Sequence, residues 1–224
     1  METETRLASQ VFPLLPLISL TAILAIYGEM VGRRRLVYVF KPLTTVLIIA
    51  LAALLPAEPA SRYRAAILAG LVLSLAGDVF LMLPADRFIA GVAAFLAAHL
   101  AYLTAFTSAV PLAASPSTFA VIAVVVAGIL IALWRWLPAR MRAPLVVYAA
   151  VLGAMAAQAI SQAIVLGSAA ATAGAVGAAL FLASDTTLVI NRFARPFRFS
   201  PPVILASYYS AQVLIAISVM GTAP

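Results

Sequence analysis

Cysteine is absent from this chain, and histidine occurs once, as His99. Without cysteine there can be no disulfide, no thiol nucleophile and no thiolate metal site. One imidazole also excludes a zinc centre built mainly from histidines of a single chain. Charge is scarce: 9% of residues are Asp, Glu, Lys or Arg, against about a quarter in soluble proteins. No polar stretch is long enough to give a soluble domain its own core. No G-x-S-x-G elbow is present and no Ser-His-Asp arrangement stands out, which argues against serine hydrolysis. There is no glycine-rich phosphate loop either. The start, "METETRLASQ", lacks the basic region of a secretory signal, so the first apolar run reads as a permanent span.

What the chain does have is apolar sequence. Hydrophobic residues make up 65% of its 224 positions, and the mean hydropathy is +1.14. Apolar runs of about 18–24 residues, each enough to cross ~30 Å of hydrocarbon as a helix, fall at 11–29, 36–55, 63–83, 88–110, 117–137, 143–166, 170–190 and 200–220. The expected fold is therefore all-α: one transmembrane domain over 1–224, with about eight helices. The boundary at "GSAAAT" (167–172) is the weakest, because Gly, Ala and Thr there could continue a helix and leave seven spans.

The net charge of +7 could suggest nucleic acid, but the arginines sit in short breaks between spans, which is an orientation signal. Arg33, Arg34, Arg35, Arg87, Arg135, Arg140, Arg142, Arg192, Arg195 and Arg198 fall on one side, and Arg6, Arg62 and Arg64 on the other. No nucleic-acid partner is expected. The first side should be cytoplasmic, with both termini outside, in a bacterial inner membrane. Trp134 and Trp136 flank Arg135 as an interfacial anchor would.

Several polar groups lie inside the spans. "LAGDVFLMLP" (75–84) carries Asp78 and "LASDTTLVI" (182–190) carries Asp185. A carboxylate at mid-helix costs about 2.5–3.5 kcal/mol on insertion scales, so it should face the protein interior and find partners. Lys41, Asp78, Tyr148 and Asp185 each lie about five residues from the arginine-bearing end, roughly 7–8 Å deep at 1.5 Å per residue. His99, Tyr102, Tyr208 and Gln212 lie deeper. Asp78 and Asp185 are 107 residues apart, as are Lys41 and Tyr148, and "KPLTTV" (41–46) echoes "APLVVY" (143–148). This echo points to a parallel 4+4 internal repeat with a site between the halves.

Phe88, Gly91, Phe95, His99, Tyr102 and Phe106 form one stripe of the fourth helix, either a packed seam or a pocket wall. Tyr208 and Gln212 share a face of the eighth. Tyr148 and Gln162 could be polar glue between helices. Ser74 and Ser184 are placed to hydrogen-bond the nearby carboxylates. Two carboxyl groups in a low-dielectric site can hold different protonation states, as in enzymes that pass through an oxocarbenium ion. Carboxylates with a lysine between halves also suit a proton-coupled transporter of a small or lipid-like solute. A third reading is a purely structural clamp.

The motifs "GDVFLMLP" (77–84), "FLAAHLAYLTAF" (95–106), "FLASDTTLVINRF" (181–193) and "SYYSAQVLI" (207–215), with "KPL" at 41–43, resemble the lysoplasmalogenase family, also called YhhN-like membrane proteins. Ser207 stands where that family usually has threonine. The resemblance implies hydrolysis of the vinyl ether bond of lysoplasmalogen to a fatty aldehyde and glycerophosphoethanolamine or glycerophosphocholine. It implies a lysophospholipid substrate drawn from the bilayer, with no metal or organic cofactor. Lys41, Asp78, His99, Tyr102, Asp185, Tyr208 and Gln212 fall on its motif positions.

In the expected mechanism Asp185 is the acid, Asp78 stabilises the cation, and Asp78 or His99 orients water. Lys41 holds Asp78 ionised or meets the phosphate. Lys41, Tyr102, Tyr148, Tyr208, Gln212 and Ser184 are the expected substrate-binding residues. That mechanism requires both carboxyl groups to meet in one hydrated chamber.

Overall fold

A computed structural model describes residues 13–56, 61–85 and 87–222. Arg6, residues 11–12 of the first expected span, residues 57–60 and residue 86 lie outside the described residues. Among the described residues eight α-helices follow one another: α1 Leu14–Met30, α2 Arg34–Leu54, α3 Arg62–Met82, α4 Phe88–Ala109, α5 Pro116–Leu133, α6 Ala139–Leu166, α7 Ala169–Val189 and α8 Ser200–Ile217. Seven of them, α2 to α8, are long and apolar enough to cross a membrane; α1, with 17 described residues, is shorter. The chain is a multi-pass membrane protein.

The uncertain boundary resolves to a break. Gly167 takes a left-handed conformation, φ +62°, which only a residue without a side chain adopts freely. Ser168 then caps α7, its hydroxyl accepting the Ala171 N–H at 3.2 Å. Among the described residues eight α-helices result rather than seven. α5 continues into a 3₁₀ turn, Trp134–Trp136, and α7 into a π-helical turn, Ile190–Ala194.

The helices pack as two comparable halves. In each, successive helices form antiparallel neighbours, and α3–α4 and α7–α8 are close hairpins. Small residues allow the close approach. A Cβ added at Gly70 would sit 2.3 Å from the Tyr102 ring, and one at Gly177, 107 residues later, 2.8 Å from the Ala211 carbonyl. Across the halves α4 packs on α6, and α8 on α2, which are equivalent pairs if the halves correspond. One contact breaks the correspondence. α1 packs on both α2 and α8, whereas α5 packs on α6 and makes no comparable contact with α4.

The main core joins both halves and includes Ile48, Leu71, Tyr102, Phe106, Met155, Phe181 and Ile215. A second apolar cluster of Phe88, Leu133, Leu137, Met141 and Leu145 closes the arginine-bearing end of α4, α5 and α6. At that end the Arg135 guanidinium lies 3.9 Å over the Trp136 ring, and that of Arg142 lies 4.8 Å over Trp134. The tryptophan pair thus holds the arginine it flanks in sequence and a second one from the start of α6.

Candidate active site

Fixed helical rise brings Lys41 and Asp78 to one level, and the packing of α2 on α3 brings them together. Lys41 Nζ lies 3.7 Å from Asp78 Oδ1, both groups being buried. Two hydroxyls complete the carboxylate: Tyr208 of α8 donates to Oδ2 at 2.7 Å and Thr45 of α2 donates to it at 2.8 Å. A counter-charge with two donors is what a buried carboxylate requires. The sequence reading missed Thr45. Its signal was available, since it stands one helical turn after Lys41 and shares that face.

Behind Asp78 runs a directional hydrogen-bond chain. Tyr102 donates to Gln212 Oε1 at 2.7 Å, the Gln212 amide donates to the Tyr208 hydroxyl at 3.1 Å, and Tyr208 donates to Asp78. Ser74, expected on Asp78, instead lies 3.3 Å from the Tyr102 hydroxyl. Tyr102 and Gln212 are wholly enclosed, and the chain they form ends on Tyr208 and Asp78.

Asp185 has a different set of neighbours. The Tyr148 hydroxyl of α6 donates to its Oδ2 in a short hydrogen bond. His99 Nε2 of α4 stands 4.0 Å from the same oxygen. Neither His99 nitrogen has a hydrogen-bond partner among the described residues, although the ring is fully buried. Ser184, also expected on the carboxylate, donates to the Ile204 carbonyl at 3.0 Å; it ties α7 to α8 because its side chain points away from Asp185's face. The two clusters correspond. Each aspartate meets the preceding helix, through Lys41 and Thr45 or through Tyr148, and one residue from the other half, Tyr208 or His99.

The shared chamber does not form. The Phe181 ring stands edge-on to His99, with centroids 4.7 Å apart, and edge-on to Tyr208, at 5.5 Å. Phe95 packs against both Phe181 and Tyr208. Packed rings thus run from Tyr208, which holds Asp78, to His99 beside Asp185. The stripe on α4 is buried as expected, and its Phe95 joins this packing.

Each cluster has its own opening. Lys41 lines a cleft between the halves with Glu29, Leu81, Phe88, Asn191 and Arg192, at the arginine-bearing end. Asp185 and Tyr148 lie at the base of a different cleft, formed by α5, α6 and α7 and walled by Val126, Leu130, Leu145 and Leu182. The two clefts share no lining residue. Their characters differ: the Lys41 cleft is edged by charged side chains, while the wall around Asp185 is almost entirely hydrocarbon.

The model of the YhhN family matches residues 36–219. Lysoplasmalogenase TMEM86B of Sus scrofa is 38% identical over 158 residues, which are 70% of this chain and 64% of that protein. Lysoplasmalogenase of Mycobacterium bovis is 35% identical over 198 residues, 84% of this chain and 72% of the relative. The uncharacterized membrane protein YhhN of Escherichia coli O157:H7 is 31% identical over 178 residues, 80% and 84% of the two chains. The chain thus spans slightly less than two thirds of the length of the pig protein. No solved structure matches it. Lys41, Asp78, His99, Tyr148, Asp185, Tyr208 and Gln212 all lie inside the matched segment, and on that match the chain belongs to the YhhN family.

Proposed function

We propose that this protein is an intramembrane hydrolase that cleaves the vinyl ether bond of a lysoplasmalogen, releasing a fatty aldehyde and a glycerophospho-alcohol. The observation that carries the reading is Asp185 at the floor of an apolar cleft, bonded by Tyr148 and flanked by an imidazole with no other partner. Relatives named lysoplasmalogenase supply the substrate class. They give no support to the transporter alternative.

The chemistry follows from that arrangement. Tyr148 engages Oδ2 of Asp185, which leaves Oδ1 to carry the transferable proton. Protonated Asp185 gives that proton to the vinyl carbon beyond the one bearing oxygen, and an oxocarbenium ion results. The carboxylate left behind stabilises the cation at short range. His99 takes a proton from a water molecule as the water attacks the carbon bearing oxygen. The hemiacetal then collapses: its hydroxyl proton returns to the Asp185 carboxylate, its carbon–oxygen bond to the glycerol breaks, the glycerol oxygen takes the proton held by His99, and the aldehyde leaves. One water is consumed and no redox partner is needed.

Asp78, satisfied by Lys41, Tyr208 and Thr45, acts here as a structural post that holds α2, α3 and α8. The acid and base are therefore Asp185 and His99, and Asp78 gives up the cation-stabilising role expected of it. The substrate's head group would lie at the arginine-bearing end, which faces the cytoplasm of a bacterial inner membrane in this reading, with both termini outside.

The test uses purified protein with 1-alkenyl, 1-alkyl and 1-acyl lysophospholipids, following aldehyde release. Only the alkenyl lipid should react. Asp185→Asn should lose at least the 10²–10⁴-fold typical of a general acid, while expression and thermal unfolding change little. Cleavage of the acyl lipid, or wild-type rates in Asp185→Asn, would overturn the proposal.

A further inference from the structure

A lipid that reacts at Asp185 must reach it, and the cleft beside Asp185, half open at its surface, offers only about 50 Å³. Small-molecule sites usually enclose ~300–1,000 Å³. A lipid chain does not fit into the cleft as it stands, so one of its walls has to move.

The wall that can move is α5. It is the least embedded of the seven long helices, with 11% of its apolar window buried against 33–50% in the others. Only two of its residues, Val126 and Leu133, are buried. Leu133 belongs to the apolar cluster at the arginine-bearing end. Val126 rests on α6, where a Cβ added at Gly153 would lie 2.9 Å from Val126 Cγ2. α1, the corresponding helix of the other half, is held on two sides, by α2 and α8. α5 lacks the second support. A further apolar groove of about 300 Å³ lies along α5 and α6, sharing Val126, Leu130 and Ala149 with the Asp185 cleft.

We infer that α5 is a lateral gate: it turns about its Leu133 end and lifts Val126 from Gly153, so that the chain of a single-tailed lipid slides from the bilayer to Asp185. This rests on the hydrolase reading for its substrate, but the motion itself can be measured without turnover.

The absence of cysteine makes a direct test clean. Cβ of Val126 and a Cβ built at Gly153 are 3.8 Å apart, the mean separation in disulfides. The Val126→Cys/Gly153→Cys double variant should therefore form a disulfide that pins α5 to α6. Compared with the same protein in reductant, the oxidised form should hydrolyse alkenyl lysolipid at least tenfold more slowly, with recovery when reductant is restored. Equal rates in the two states would overturn the gate.

A second measurement does not depend on hydrolysis. Nitroxides are placed at Val121→Cys on α5, toward the end away from Leu133, and at Leu54→Cys on α2, both exposed positions, with the protein in lipid nanodiscs. Adding 1-O-hexadecyl lysophosphocholine, which has no vinyl ether to cleave, should create a second, shifted distance population. An unchanged distribution would overturn the gate even if the enzyme is active. A shifted distribution in a protein that releases no aldehyde would uphold the gate while removing the hydrolase reading.

Discussion

If Asp78 is a structural post, its charge matters only through Lys41, and removing both together should be tolerated. The two groups are 3.7 Å apart and nearly inaccessible. At that distance, with an effective dielectric of about 20, their attraction is about 4.5 kcal/mol, offset by the desolvation of both ions. Asp78→Asn alone leaves an ammonium buried without a counter-charge, and breaking a buried pair in this way costs about 3–5 kcal/mol. Lys41→Met alone should do similar damage by stranding the carboxylate. The double variant removes both penalties, and buried pairs replaced by neutral groups are often close to neutral in stability.

The assay is a double-mutant cycle on unfolding in mixed micelles, with alkenyl lysolipid hydrolysis measured alongside. A coupling of at least 2 kcal/mol, within the range for contacting residues, is expected, together with hydrolysis in the double variant within about tenfold of wild type. Single-variant losses that simply add would refute the ion-pair argument. A stable double variant as inactive as Asp185→Asn would refute the structural role of Asp78 and restore a chemical one.

Replacing His99 by Phe should raise the unfolding temperature, because two buried nitrogens without partners carry an unrecovered desolvation penalty of about 1–3 kcal/mol, while hydrolysis falls at least 100-fold; a parallel fall in both would contradict the assignment. Tyr148→Phe removes the donor to Asp185 and should lower the rate by about tenfold, with a stability loss of about 0.5–1.5 kcal/mol, read by the same two assays. Gly177→Ala places a methyl 2.8 Å from the Ala211 carbonyl and 3.1 Å from the Ile215 nitrogen, backbone atoms that cannot turn aside, so calorimetry should show a loss of about 1–3 kcal/mol. Gly128→Ala on α5, where nothing lies within 4 Å, should be neutral or gain up to about 1 kcal/mol from helix propensity.

The amino-acid sequence by itself determined the membrane environment, eight described helices whose observed bounds lie within four residues of the apolar runs, and the heights that put Lys41 beside Asp78 and Tyr148 beside Asp185. Each follows from composition and from a helical rise that does not depend on neighbours. The corresponding positions of the two aspartates were also legible, as a 107-residue spacing. Helical periodicity, however, gives a side chain its height and its face without naming what that face meets. Only the packing of α4 and α8 between the halves decided that Tyr208 serves Asp78 and His99 stands by Asp185. The same packing turned Ser74 and Ser184 to other partners. Phe181, in sequence one more apolar residue of a span, became the link between the Asp78 and Asp185 clusters only once His99 and Tyr208 packed against its ring from different helices.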